Sequence, residues 1–394
     1  MNPRPNLFPL SEAWMPPKLL VRDQQLEDLI KNTRCDYPYN FWIFGGRGLG
    51  KSLTVRIFKQ VMDSEFSGED VKVFIHSLTS RSVKEEAQRF CLSLGYRKPA
   101  SELEADAIIK ALRMAGVHDR VCIIFDDIDV MSRVMRGYFS YFIKALYDGL
   151  LNEGLAFSIH LISTMNPIQA ESRILETTWS RLQPQPLVFP PYSRDEITLL
   201  LRQRLEFIDG LEWDEAALGM VAEEVAGLGG DFRQALRIAR EVIAKHGKLT
   251  VDVVVDELIS FRAQVWADLI RILPYKTALL LRAIVEETER RIRALEREVS
   301  EPEDLDGVVP FISWEDVKAA YDRLCEDYMV EREGDRILTY WLDEKLKGDW
   351  VESCILSKYD DANYKRKRGK FLRLKAPYSM MLRAMRLIDW ETPW

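Results

Sequence analysis

The stretch Gly45–Ser52, GGRGLGKS, decides how the rest of the chain is read. It satisfies the phosphate-binding pattern G-x-x-x-x-G-K-[ST] at every required position. Before it, Asn40–Phe44 (NFWIF) is an apolar run that predicts a short buried strand; after it, Leu53–Met62 (LTVRIFKQVM) has helical spacing. Glycines let such a loop wrap a polyphosphate closely, and the following helix adds its N-terminal dipole to the anion site. Lys51 is expected to reach the β- and γ-phosphates of ATP, or the β-phosphate of ADP, and the Ser52 hydroxyl to ligate Mg²⁺. Gly45, Gly46, Arg47, Gly48, Leu49, Gly50 and Leu53 complete the candidate nucleotide-binding set on this loop. The alternative is a glycine turn with no ligand; strand and helix on either side favour phosphate.

Outward from the loop, strands alternate with helices. Strands are predicted at Val71–His76, Arg120–Phe125, Ala156–Ser163 and Leu187–Phe189. Helices are predicted at Arg22–Lys31, at Thr79–Leu94 with Ser82 and Glu85 as a capping box, and at Ser101–Met114 with Ser101 and Glu104 in the same relation. This alternation implies an α/β fold with a parallel sheet covered on both faces. From Ser193 the strands stop, and helices at Arg194–Ile208, Asp214–Leu228, Phe232–His246 and Val251–Phe261 make a small all-helical unit. Glu286–Asp306 is a dense charged run, read as a solvated helix end entering a loop.

Composition bounds what the chain can be. Its 394 residues exceed what one core usually organises, so two or three domains are expected. Hydrophobic content of 47% and charged content of 30% are ordinary for a globular protein. No apolar run approaches the roughly 18 residues of a membrane span, and the N-terminus lacks a signal-peptide layout. The five scattered cysteines read as reduced intracellular thiols without a metal site. A net charge of −7 argues against a chain coated in nucleic acid, although that charge is unevenly spread.

A second set of polar residues narrows the chemistry. Asp126 closes an apolar strand, where a carboxylate can hold the Mg²⁺ water shell beside Ser52. Asp127, one methylene shorter than the glutamate usual in such ATPases, would polarise the attacking water slowly. The plainer reading of this acidic pair is a turn with capping aspartates. Asn166, in Thr164-Met165-Asn166, is a candidate for orienting the water, and Arg181 for reaching a neighbouring subunit's nucleotide. Arg233, in Gly230-Asp231-Phe232-Arg233, opens a helix from which its fork can reach back over the phosphates.

The ordered series GGRGLGKS, FDDID, STMN, SRL with VFPPYSRDEI, and GDFRQAL resembles the AAA+ ATPases of the archaeal origin-recognition type. These are relatives of the eukaryotic origin recognition complex and its licensing factor. The stretch LLVRDQQLEDL resembles the family's segment near the adenine, which implies nucleotide contacts from Val21 and Arg22, with Tyr192 from FPPY. Leu273–Glu287, Ser313–Asp327 and Ile337–Lys347 look like the three helices of its C-terminal winged helix. The resemblance implies an AAA+ base over 1–192, a helical lid over 193–262 and a winged-helix DNA-binding domain over 263–394. Its DNA-contacting insertion would fall near Thr79–Val83, where TSRSV matches poorly.

Charge supports a nucleic-acid partner independently. Between Ala362 and Arg386 lie Lys365, Arg366, Lys367, Arg368, Lys370, Arg373, Lys375, Arg383 and Arg386, with no acidic residue. Trp350–Leu356 and Lys370–Leu374 alternate like paired strands, which puts Tyr364–Gly369 at a basic hairpin tip. The preceding helix should bury Leu338, Trp341, Leu342 and Leu346, leaving Arg336, Thr339 and Tyr340 to read bases. A solvated basic loop is the plainer alternative. The expected function is ATP-dependent binding of a replication origin on duplex DNA, with the MCM helicase and paralogous initiators as partners, in the cytoplasm on the nucleoid of an archaeal cell. Two rivals stand beside it: an AAA+ signalling or transposition helper whose winged helix binds protein, and a transcription regulator whose ATP is structural.

Overall fold

The computed structural model describes residues 6–66, 71–131, 135–298, 309–348, 350–360, 365–375 and 378–391. The chain forms two compact units, Met1–Val254 and Val255–Trp394. In the first, the elements follow the expected alternation: α1 (Asp23–Arg34), β1 (Phe41–Phe44), α2 (Lys51–Glu65), β2 (Val71–Ser77), α3 (Val83–Ser93), α4 (Glu104–Met114) and β3 (Arg120–Asp126). After short turns come α5 (Ser140–Asn152), β4 (Ala156–Ser163), α6 (Pro167–Arg173), α7 (Glu176–Leu182) and β5 (Gln185–Val188).

The five strands make one parallel sheet in the order β2-β3-β4-β1-β5. Val121–Phe125 of β3 is buried without interruption, as expected for a strand covered on both faces. The chain order skips: β4 lies between the loop-bearing β1 and the Asp126-bearing β3. Such a switch point opens a crevice beyond the carboxyl ends of the strands. Buried polar groups hold β1 in place. Asn40 donates through Nδ2 to Leu182 O and accepts from Ile159 N, each at 2.7 Å. His160, fully buried, accepts Phe41 N at Nδ1 over 3.0 Å.

Side-chain caps open several of the helices. Ser82 caps α3 by accepting from Glu85 N, while Glu85 turns its carboxylate to the Ser80 hydroxyl. Ser101 does not cap α4, which starts at Glu104 behind Leu103 without a side-chain cap. Ser193 and Glu196 form the reciprocal box that opens α8 (Arg194–Leu205). The lid continues through β6 (Glu212–Trp213), α9 (Glu215–Gly227), α10 (Phe232–His246) and β7 (Lys248–Leu249), so it is not all-helical: β6 and β7 pair in parallel. The next helix, α11, runs from Val251 to Ile272, beyond the expected end at Phe261, because no glycine or proline interrupts it before Pro274.

The second unit contains α12 (Tyr275–Glu298), β8 (Ile312–Ser313), α13 (Trp314–Asp327), α14 (Asp335–Trp341), β9 (Val351–Asp360), β10 (Lys365–Leu374) and α15 (Tyr378–Arg386). Its antiparallel sheet, β8-β10-β9, packs with the helices round Leu281, Tyr321, Leu338, Leu342 and Leu372. The charged run begins inside α12, and 299–308 lies outside the described residues. Among the described residues, no helix is long and apolar enough to cross a membrane.

Candidate nucleotide cleft and DNA-facing surface

The loop after β1 closes onto α2, whose first residue is Lys51. Gly48 and Gly50 adopt φ of 67° and 89°, a region side chains rarely enter. A Cβ at Gly50 would lie 2.4 Å from the Tyr192 hydroxyl oxygen, and one at Gly48 would lie 1.6 Å from Asp231 Oδ1. The loop is therefore seated against both the Tyr192 stretch and the lid. Lys51 Nζ donates to Gly45 O at 2.7 Å and Gly46 O at 2.6 Å. Burial lowers its pKa, while Asp126, Asp129 and Asp127 pull in the other direction.

At the end of β3 three carboxylates take different jobs. Asp126 is buried, which raises its pKa, and the Ser52 hydroxyl hydrogen-bonds to it in opposition. Asp127 is exposed at φ 58° and donates its N–H to Asp126 Oδ1 at 2.9 Å. Asp129, which the sequence left without a role, clamps the end of β4. Its Oδ1 accepts the Ser163 hydroxyl at 2.6 Å; its Oδ2 accepts Thr164 N at 2.7 Å and Thr164 Oγ1 at 2.8 Å.

That clamp presents Thr164 to the cleft. Asn166 is placed differently: its side-chain oxygen accepts Gln169 N at 2.9 Å, within a reciprocal box that caps α6. The cleft lining includes Ser163 and Thr164 but not Asn166. Arg181, in the last turn of α7, is half exposed, donates to Asp148 Oδ1 at 2.8 Å and does not line the cleft either.

The adenine-side candidates converge on Arg22, which is only 2% exposed. It donates to Leu49 O and Pro190 O and stacks on Tyr192. Val21 precedes it at φ 72°, an outlying conformation for a β-branched residue. Arg233 lines the cleft, yet its guanidinium is held by Asp231 through Nε at 3.2 Å and Nη2 at 3.1 Å. Sequence reasoning missed Arg204 and Glu12. Arg204 is buried on α8, donates to Pro9 O at 2.7 Å and Ser11 O at 2.8 Å, and has its pKa lowered to about 10 by burial. No local pattern marks it, since its partners lie nearly two hundred residues away.

The cleft lined by the P-loop with Asp129, Thr164, Arg204 and Arg233 is about 610 Å³, within the roughly 300–1,000 Å³ usual for small-molecule sites. Its basic lining, Arg47, Lys51, Arg56, Arg204 and Arg233, outnumbers the acids Glu12, Asp127 and Asp129. A side-chain-free cradle, a helix N-terminus and surplus positive charge fit a polyphosphate. Ser52 with the single buried Asp126 suits Mg²⁺, which commonly keeps water and phosphate as its other ligands.

In the second unit, α14 and the wider turn at Leu342–Leu346 bury Leu338, Leu342 and Leu346 as expected, while Trp341 is only partly buried. Arg336 and Tyr340 are exposed; Thr339 donates its hydroxyl to Asp335 O at 2.9 Å. The hairpin differs from expectation. Strands β9 and β10 pair continuously out to Asp360↔Lys365, so Lys365, Arg366, Lys367 and Arg368 belong to a strand and not to its tip. The pairing continues through charged residues because the ladder is made by backbone N–H and C=O groups. Tyr364 and the connecting residues 361–364 lie outside the described residues, as do the side chains of Lys365–Arg368. Lys370 is already paired, donating to Asp343 Oδ1 at 3.0 Å and Oδ2 at 3.2 Å. In the Thr79–Val83 stretch, β2 passes to α3 through a short turn held by Glu86, which accepts Thr79 N at 2.9 Å and Ser80 N at 2.6 Å.

Fold and site together define a P-loop protein of the AAA+ class, with a helical lid and a C-terminal winged helix. No family model matches the chain. Over most of its length it is similar to replication proteins of the archaeal origin-recognition family. ORC1-type DNA replication protein 1 of Sulfurisphaera tokodaii is 24% identical over 299 residues, 72% of this chain and 73% of that one. The Aeropyrum pernix ORC1 protein, solved in complex with DNA, superposes with a TM-score of 0.54 at 20% identity, covering 97% and 98% of the two chains. The ORC2 protein of the same organism, solved in ADPNP–ADP complexes, gives 0.56 at 17%, covering 96% of each chain.

Proposed function

We propose that this chain is an ATP-controlled DNA replication initiator that grips an origin on duplex DNA. The carrying observation is the convergence of Lys51, Ser52, Asp126, Thr164 and Arg233 about the cleft of a chain similar to ORC1-type replication proteins. The loop amides, Lys51 and the start of α2 hold the phosphates. Ser52 and Asp126 hold Mg²⁺, which supplies charge neutralisation on the phosphate oxygens. Val21, Arg22 and Tyr192 border the base. Asp127 aligns water poorly, so hydrolysis is slow and the bound nucleotide acts as a switch. Residues 1–192, 193–262 and 263–394 serve as base, lid and DNA-binding domain.

DNA contact comes from Arg336 and Tyr340 on α14 and from the basic strand Lys365–Lys370. Lysines and arginines there meet phosphate and set position. ATP and DNA affinities are reciprocally coupled, as linkage requires when one state binds both ligands better. The loaded complex then recruits the MCM helicase, alone or with paralogous initiators, on the nucleoid.

The test is to map chromosomal occupancy of the wild type beside Lys51→Ala. Occupancy of a few discrete sites that fades in Lys51→Ala supports the reading. Capture of a protein partner without any DNA affinity would instead favour the signalling or transposition-helper role.

A further inference from the structure

We propose that Asp231 is a specificity-determining residue of this cleft: it holds Arg233 against the P-loop and yields it only to a ligand with a terminal phosphoryl group. The proposal rests on the nucleotide reading above. One carboxylate makes every contact involved. As N-cap of α10, Asp231 Oδ1 accepts Arg233 N at 3.0 Å. The same group takes the Arg233 fork, Nε on Oδ1 and Nη2 on Oδ2. The ion pair is laid directly on the loop: at the place a Gly48 Cβ would take, Asp231 Oδ1 is 1.6 Å away and Arg233 Nε 3.1 Å away.

Gly48 occupies one of the free positions of the phosphate-binding pattern, where no residue type is required. The lid carboxylate accounts for the lack of a side chain there, together with the φ of 67°. Asp231 and Gly48 are thus a matched pair where the lid meets the loop, with Arg233 carried from that contact into the cleft lining.

Two anions therefore compete for one guanidinium. The arginine fork donates to carboxylate and to phosphate oxygens with the same bidentate geometry. A triphosphate cradled by the loop brings its last oxygens against the Asp231 carboxylate. Like charges repel there, and Arg233 exchanges carboxylate for phosphate. A diphosphate ends one group sooner and leaves the pair intact. A ligand shifts such an equilibrium only by its differential affinity for the two states, so the strength of the Asp231–Arg233 pair sets the discrimination.

Asp231→Asn tests this, because asparagine caps a helix as well as aspartate but carries no charge. Calorimetric titration with a non-hydrolysable ATP analogue should tighten about three- to fivefold, the weight of a partly exposed ion pair. ADP affinity should change by less than about twofold, and in an Arg233→Ala background the substitution should leave the ratio of the two affinities unaltered. A second measurement needs no variant that might misfold: in wild-type protein, the Arg233 Nε–H resonance should move with the ATP analogue and stay put with ADP. Equal shifts of both affinities, or an Arg233 resonance that responds alike to both nucleotides, would overturn the latch alone. A wild type that binds neither nucleotide would overturn the nucleotide reading and the latch with it.

Discussion

The Arg22 guanidinium lies 4.0 Å from the centroid of the Tyr192 ring, though the two residues are far apart in the chain. From there it donates to Leu49 O at 3.2 Å and Pro190 O at 2.7 Å. One buried side chain thereby ties the segment before α1, the P-loop and the stretch leading into the lid.

Arg22→Lys keeps the charge but loses the planar stack and one of the two carbonyl contacts. A buried carbonyl left without a donor costs about 1–3 kcal/mol, so the first unit should lose roughly 2–4 kcal/mol of stability once packing is included. Calorimetric unfolding of the nucleotide-free protein checks this. A change within about 0.5 kcal/mol, typical of a surface substitution, would contradict the structural role.

Asp127 predicts a weak ATPase. Steady-state phosphate release should fall below the about 1–10³ per second typical of enzymes, and Asp127→Glu should raise it by restoring the missing methylene's reach. Turnover in the tens per second by the wild type would defeat the account.

His160 predicts an acid-side loss of stability. Full burial holds its pKa at about 3, against 6.5 for the free side chain. A folded-state value depressed in this way leaves the stabilisation complete above pH 6.5, and it is lost as pH falls toward 3. The slope from this one group is about 1.4 kcal/mol per pH unit across that window. Denaturant titrations at several pH values should show a shallower slope in His160→Gln, which can still accept the Phe41 N–H. The buried His76, also lowered chiefly by burial, adds a smaller term of the same sign in both proteins.

The basic strand predicts a salt-dependent grip on DNA. Neutralising four or five phosphates gives a log–log slope of about −4, a loss of affinity of roughly 250-fold between about 50 and 200 mM salt. Replacing Lys365, Arg366, Lys367 and Arg368 by alanine should flatten that slope by nearly its whole value. Lys370→Ala should flatten it by less than one ion, because Asp343 already holds that ammonium. Binding indifferent to salt would remove the strand from the interface.

Much of the fold was legible along the chain. The P-loop, the strand carrying Asp126, the Ser193–Glu196 cap and the inward face of α14 each depend on residues within a few positions of one another. Contiguous spacing fixes such geometry whatever lies elsewhere. The charged residues suggest a tip at Tyr364–Gly369, but pairing with the opposite strand sets where a strand ends, and it carries the ladder on to Asp360↔Lys365 in the expected antiparallel sense. Spacing lets Asn166 and Arg233 reach toward the phosphates, but a helix cap and the Asp231 pair decide where they point.

The sequence by itself determined that this chain builds a phosphate loop on a parallel sheet and concentrates positive charge near its C-terminus. Only the tertiary structure decided that β4 separates β1, which leads into the P-loop, from β3, which ends in Asp126, that Arg204 and Glu12 line the cleft, and that Asp231 rests on Gly48. The physical reason is chain closure. Short-range patterns carry their own geometry, while contacts between distant segments exist only once the core has brought those segments together.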